Sequence, residues 1–87
     1  MTFEVRISSP ARRDLTSLPE SVAAAVLEFI FDALAKDPRR VGKPLTNELA
    51  GRFSARRGQY RVIYRIDDKR VVVEVIRIAH RCDVYRR

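Results

Sequence analysis

Gln59-Tyr60-Arg61-Val62-Ile63-Tyr64-Arg65-Ile66, then Asp67-Asp68-Lys69-Arg70, then Val71-Val72-Val73-Glu74-Val75-Ile76-Arg77-Ile78-Ala79 reads as two β-rich runs around a short polar turn, a hairpin. Pairing Val62, Tyr64 and Ile66 with Val75, Val73 and Val71 gathers an apolar set on one face. Arg61, Ile63 and Arg65 then lie on the other face, near Ile76, Glu74 and Val72. A one-residue slip mixes apolar and charged groups on both faces, so burial selects against it. Arg61 is therefore expected to project from a rigid strand on the side away from the core.

Before this hairpin, Arg52 to Arg56 reads as a short strand entering a tight turn at Gly58. At the start of the chain, Phe3, Val5 and Ile7 alternate with Thr2, Glu4, Arg6 and Ser8, the period of a strand with one buried face. Ser9-Pro10 opens a short helix over Pro10 to Thr16, with serine as cap and proline in the first turn. Ser17 and Glu20 stand at capping-box spacing before a longer helix from Pro19 to Lys36. Its apolar positions, Val22 through Leu34 and including Phe31, cover about half the circumference, more than the roughly 100° needed to face a core. Asp37-Pro38 ends it, because the residue before proline avoids the α region. Arg39 to Gly51 reads as a loop anchored in the core by Leu45 and Leu49. The order β-α-α-β-β-β predicts an α+β domain: two N-terminal helices on one face of a small, mostly antiparallel four-stranded sheet.

Eighty-seven residues form one domain, 1–87, with a single core. The longest mostly apolar run, Val22 to Ala35, is broken by Glu28 and Asp32 and too short to span a bilayer, so no membrane role is expected. The first residues lack the basic start and apolar block of a signal peptide. A lone cysteine, Cys82, forms no internal disulfide and suits a reducing cytoplasm. Eighteen Lys and Arg against eleven Asp and Glu give a net charge of +7, and only Lys36, Lys43 and Lys69 are lysines. Arginine's permanently charged planar fork matches phosphate, so this bias points to a polyanion or an acidic protein partner.

Several chemistries are excluded. His80 is the only histidine, and no His/Cys cluster stands at metal-ligand spacing, so neither a metal nor a cofactor is expected. Gly42-Lys43 lacks the flanking residues of a phosphate-binding loop. Cys82 has no obvious base to make it a nucleophile. What remains is arginine with tyrosine: Arg52, Arg56, Arg57, Arg61, Arg77, Arg81, Tyr85, Arg86 and Arg87. Cleavage of RNA by its own 2′-hydroxyl needs no metal and no protein nucleophile. It needs in-line positioning, stabilisation of the phosphorane-like transition state and proton transfer at both ends. Clustered guanidinium groups meet the second need. Tyr85 is the proton-transfer candidate, since nearby positive charge favours phenolate, or alternatively a base-stacking group. Arginine ionises above about 12, so Arg81 is assigned to phosphate or leaving-group stabilisation.

Gly42-Lys43-Pro44-Leu45, Leu49-Ala50-Gly51, Ser54-Ala55-Arg56-Arg57-Gly58-Gln59-Tyr60-Arg61-Val62-Ile63-Tyr64 and the ending Ile78-Ala79-His80-Arg81-Cys82-Asp83-Val84-Tyr85-Arg86 resemble RelE-type toxins of the RelE/ParE superfamily. The likeness spans nearly the whole chain and is closest to the actinobacterial branch. It implies a metal-independent endoribonuclease that cuts mRNA in the ribosomal A site. It also implies neutralisation by an acidic RelB-like antitoxin, and operator DNA binding only as the toxin–antitoxin complex. By position, the resemblance gives catalytic roles to Arg61 at the scissile phosphate, Arg81 at the leaving group and Tyr85 on the nucleotide. It places Arg52, Ser54, Arg56, Arg57, Arg77, His80 and Arg86 among the RNA- and ribosome-contacting residues. A lysine pair used by the family falls here on Arg52 and Ser54. The alternatives are a ParE-like DNA gyrase inhibitor on the same fold, and a non-catalytic basic RNA-binding module.

Overall fold

The computed structural model describes residues 2–80. Strand β1 (Glu4–Ile7) leads into helices α1 (Ser9–Thr16) and α2 (Glu20–Phe29), and α2 continues into a π-helical turn, Ile30–Leu34. A short helix α3 (Pro38–Val41) and a two-residue strand β2 (Lys43–Pro44) follow, then a 3₁₀ turn at Asn47–Leu49. Strands β3 (Phe53–Arg57), β4 (Tyr60–Asp67) and β5 (Val72–His80) complete one sheet in the order β1-β5-β4-β3-β2. Only the β1–β5 pair is parallel. The α+β class and helix-then-strand order are as expected. The sheet, however, has five strands rather than four, because Lys43 and Pro44 pair with Ser54 and Phe53 at the β3 edge. Proline cannot donate to a further strand, so β2 also ends the sheet there.

The core lies between the sheet and the first two helices. Ala11 of α1 and Val26, Ile30 and Leu34 of α2 and its π turn pack against Ala55, Val62, Tyr64, Val73, Val75 and Ile78. Each fully buried aliphatic side chain of this kind contributes about 1.5–3 kcal/mol. Ile30 and Leu34, one turn apart on the same face, are both sealed, whereas Phe31 is 56% exposed at the edge of the apolar arc. Leu49 is not a core anchor: it is 38% exposed. Among the described residues no helix is long and apolar enough to cross a membrane.

The hairpin register differs from expectation by a shift that leaves the faces intact. Tyr64 pairs with Val75 and Ile66 with Val73, two residues beyond the expected partners. The turn sits one residue later, at 68–71, because the Asp67 side chain accepts a hydrogen bond from the Arg70 amide (3.2 Å) and Val71 takes the left-handed conformation (φ 57°). That conformation costs a β-branched residue about 1–3 kcal/mol. It is held by Val71's carbonyl, which accepts from the Glu4 amide of β1 (2.8 Å). A bulge then leaves Ile76 as an extra residue between the Tyr64–Val75 and Ile63–Arg77 pairs. Without it Ile78 would turn away from the helices; with it Val73, Val75 and Ile78 are all sealed beneath them.

Helix α1 closes an edge that β1 leaves open. Strand β1 pairs with β5 only as far as Val75. Beyond that point Ser8 Oγ donates to the Ile76 carbonyl (2.8 Å), and Asp14 Oδ2 accepts from the Ile78 amide (2.8 Å). Ser8, not Ser9, is the helix cap, accepting from the Ala11 amide. Ser17 likewise serves the end of α1 rather than the start of α2, donating to the Arg13 carbonyl (3.0 Å). Its competing use arises because α1 runs up to Thr16 and its last carbonyls need donors.

Tyr64 is the largest sealed side chain. Its hydroxyl donates to the Pro38 carbonyl, and burial pushes its pKa up from 10.0 to about 12. An unfolded chain ionises its tyrosines near 10. The folded-state pKa is raised, so the stabilisation is complete below pH 10 and is lost as pH rises from about 10 through about 12. Two pH units correspond to about 2.7 kcal/mol. Urea unfolding at about pH 9 and about pH 11.5 should show a loss approaching that size, removed by Tyr64→Phe. An unchanged pH dependence in Tyr64→Phe would assign the loss to other groups.

Candidate functional site

Strand alternation sorts the basic residues of β3 and β4 onto two faces. Val62 and Tyr64 point to the helices, so Arg61, Ile63 and Arg65 point away, together with Ser54 and Arg56 of β3. Arg61 sits directly opposite Arg56 on one side and Ala79 on the other. Side chains at such positions stand about 4.5–5.5 Å apart at Cβ, and like charges there destabilise a sheet. The small Ala79 leaves room beside the guanidinium. Ser54 is only 8% exposed, and its Oγ accepts a hydrogen bond from Arg61 Nη1 (3.4 Å). A hydroxyl buried under Arg61 orients that guanidinium, which is a different role from contacting RNA at the surface. Arg52, just before β3, has the same parity as Ser54 and is half-buried.

The turn between β3 and β4 keeps this group compact. Arg57 pairs with Tyr60, leaving a two-residue connection, Gly58-Gln59, with Gly58 at φ 62°. Glycine meets no Cβ penalty there, and such turns follow the natural twist of a hairpin. Arg56 and Arg61 are thereby fixed opposite each other on rigid strands.

The remaining basic candidates are placed elsewhere. Arg57, Tyr60 and His80 share the parity of Ala55, Val62 and Ile78, so they lie on the helix-bearing side at the end of the sheet. Tyr60 and His80 meet edge to face with ring centres 5.5 Å apart. Arg77 is drawn to α1: Asp14 accepts from its Nε (2.8 Å) and Nη2 (3.1 Å), which raises the Arg77 pKa. Its charge is thus already matched, a pairing across 63 residues that no local pattern announces. Arg81, Tyr85 and Arg86 lie outside the described residues. Among the described residues no ion pair engages Arg52, Arg56 or Arg57, whereas Arg6, Arg39, Arg65, Arg70 and Arg77 each face a carboxylate. On the face away from the helices, Arg56 stands beside Arg61 at one end, and the arginines at the β4–β5 turn end face carboxylates. Concentrated guanidinium charge at the first end suits a phosphodiester, above all one gaining charge in a transition state.

Residues 5–85 match the family model of the ParE toxin of type II toxin-antitoxin systems, parDE. This chain is a toxin of the RelE/ParE family. It is 56% identical over 87 residues to toxin RelG of Mycobacterium tuberculosis (strain ATCC 25618 / H37Rv), covering 100% of both chains. Toxin RelE of the same strain is 54% identical over 84 residues, covering 97% of this chain and 87% of the relative. Among solved structures, the RelBE2 toxin–antitoxin complex of M. tuberculosis matches with a TM-score of 0.90 at 54% identity, covering 92% of this chain and 99% of that one. The RelE–RelB complex of Pyrococcus horikoshii matches with a TM-score of 0.72 at 32% identity, covering 93% and 97%. The RelE/ParE toxin thus shares the fold of these relatives.

Proposed function

We propose that this RelE/ParE toxin is an mRNA endonuclease that acts in the ribosomal A site. In this reading the substrate's own 2′-hydroxyl attacks the adjacent phosphate and no metal takes part. The carrying observation is the Arg56–Arg61 pair, two like charges held opposite each other on the face away from the helices. Two guanidinium groups fixed side by side on rigid strands offer converging donors and permanent charge that match a phosphate. Arg61, held by Ser54, grips the scissile phosphate and stabilises the charge that builds on it. Arg81 stabilises the departing 5′-oxygen, and Tyr85 stacks on the nucleotide or takes the 2′-hydroxyl proton. Arg52, Arg56, Arg57, His80 and Arg86 add contacts to mRNA or ribosomal RNA, and Ser54 contributes through Arg61. Arg77 joins them only by exchanging Asp14 for phosphate.

The two relatives above 50% identity carry RelE and RelG names, which favours this reading over gyrase inhibition. Two solved relatives, from M. tuberculosis and P. horikoshii, are toxin–antitoxin complexes, and a +7 chain suits an acidic RelB-like antitoxin in the same cytoplasm. In complex, that pair is the species expected on operator DNA. Brief induction of the toxin, with transcript 5′ ends mapped genome-wide, tests the proposal. New ends phased to the reading frame in translated transcripts are expected. Growth arrest with intact transcripts and damaged DNA would replace it with the gyrase reading that the ParE family description accommodates.

A further inference from the structure

Four residues along β4 from Arg61, on the same face, stands Arg65. At a strand rise of about 3.3 Å the two positions are about 13 Å apart. Arg65 forms one wall of an open groove of about 720 Å³ at the turn end of the sheet, within the size range of nucleotide-scale ligand sites. Arg6, Lys69, Arg70, Val72 and Glu74 also line it.

The groove is built from a row across three neighbouring strands, Arg6 on β1, Glu74 on β5 and Arg65 on β4. One carboxylate stands between two guanidinium groups. Arg65 Nη2 donates to Glu74 Oε1 (2.9 Å), and Arg6 Nε donates to Glu4 Oε2 (3.0 Å). Each arginine thus commits one N–H among the described residues, and a guanidinium has five. The acidic turn residues are engaged as well: Asp68 is held bidentately by Arg39 (2.7 and 2.8 Å), and Asp67 lies 4.0 Å from Arg70. Exposed pairs such as these are weak, so a phosphate can share or displace them. Val72, nearly sealed, supplies an apolar floor beside the charges.

We infer that this groove is a second phosphate subsite, which holds the RNA strand that Arg61 cleaves at a point beyond the cleaved bond. The inference rests on the nuclease reading of the Arg56–Arg61 end. About 13 Å along β4 corresponds to some four steps of a stacked strand at about 3.4 Å each, and fewer of an extended one. A hexanucleotide therefore reaches both ends of the face, and a dinucleotide reaches only one. An acidic protein segment is the competing occupant. The row of arginines continuing from the candidate site along one strand favours the nucleic acid.

The test uses the full-length toxin freed from its antitoxin and 2′-O-methyl RNA, which binds but has no nucleophile. Arg65→Gln is expected to weaken hexanucleotide binding about tenfold and to lower the salt slope by about 0.7, the share of one phosphate contact on a single strand. Dinucleotide binding should not change. Arg6→Gln should act in the same direction, and Arg65→Lys should restore part of the loss. Equal weakening of both lengths, no weakening at all, or weakened binding of an acidic antitoxin peptide with RNA unaffected would each overturn the subsite. Arg65 lies at the surface, and a thermal melt of each variant confirms folding. Failure of the nuclease reading shows separately, as hexanucleotide binding that depends on Arg65 while unmodified RNA is never cut on translating ribosomes.

Discussion

Replacing Arg61 by alanine should abolish mRNA cleavage while leaving the protein folded. Two neighbours explain the asymmetry. Arg56 faces Arg61 directly, so removing one of two like charges relieves a repulsion of the order of 0.2–1 kcal/mol. Against this stands the hydrogen bond to Ser54, long at 3.4 Å, which by itself contributes no more than about 1 kcal/mol. Function has no such offset. Losing a preoriented donor to developing charge costs about 100- to 1000-fold in rate, and here the donor also binds the ground state. Arg61→Lys should recover only part of the activity, since a point charge lacks the fork that spans two phosphate oxygens. Transcript-end mapping after induction and a thermal melt of the purified variant are the two measurements. Retained cleavage would remove Arg61 from the site. Lost cleavage with a melting temperature lowered by more than about 8 °C would mean that the residue acts through stability.

The placement of Arg61 on the face away from the helices was legible from alternation alone. Val62, Tyr64 and Ile66 demanded one face, which left Arg61 and Arg65 on the other. The register error did not matter at Tyr64 and Ile66, where it amounted to two residues, the strand's own period; at Val62 it amounts to three, and the bulge at Ile76 restores the face. What escaped local reading has physical causes of three kinds. The turn position was decided by the Asp67 side chain capping the Arg70 amide, which selects 68–71 over the more polar 67–70. Strand β2 is two residues long and contains proline, so it has no periodicity to detect. Side-chain contacts between elements, Asp14 with Arg77 across 63 residues and Ser54 with Arg61 across the β3–β4 hairpin, become visible only once the sheet is assembled. The last of these changes the meaning of the Ser54 position. A long basic side chain there would reach the solvent; the serine lies under Arg61 and holds it.

Gly42→Ala should be the most damaging single methyl group in the described structure. The glycine follows α3 in an ordinary extended conformation (φ −122°), so backbone freedom does not account for it. Space does. A Cβ built there would lie 2.0 Å from the Tyr64 hydroxyl oxygen, 2.9 Å from the ring carbon that bears it and 3.0 Å from the Ser54 carbonyl. Tyr64 cannot yield readily, because it is sealed in the core, stacked on Phe53 at 5.6 Å and bonded to the Pro38 carbonyl. Moving Ser54 instead would disturb the β2–β3 pairing and the hydroxyl beneath Arg61. Overpacking of this severity costs about 3 kcal/mol or more, roughly 12–24 °C in melting temperature for a domain of this size. Gly51→Ala is the contrast: its Cβ would meet nothing within 4 Å, and its φ of 92° makes the cost purely conformational, about 1 kcal/mol. Combining Gly42→Ala with Tyr64→Phe separates the two sources of strain. Deleting the hydroxyl removes the 2.0 Å overlap but leaves those at 2.9 and 3.0 Å. The double variant should therefore be less destabilised than the sum of the single ones, by at least about 1 kcal/mol, yet remain below Tyr64→Phe alone. Strict additivity in urea unfolding would show that the methyl group is accommodated by backbone movement around Ser54, with Tyr64 left where it is.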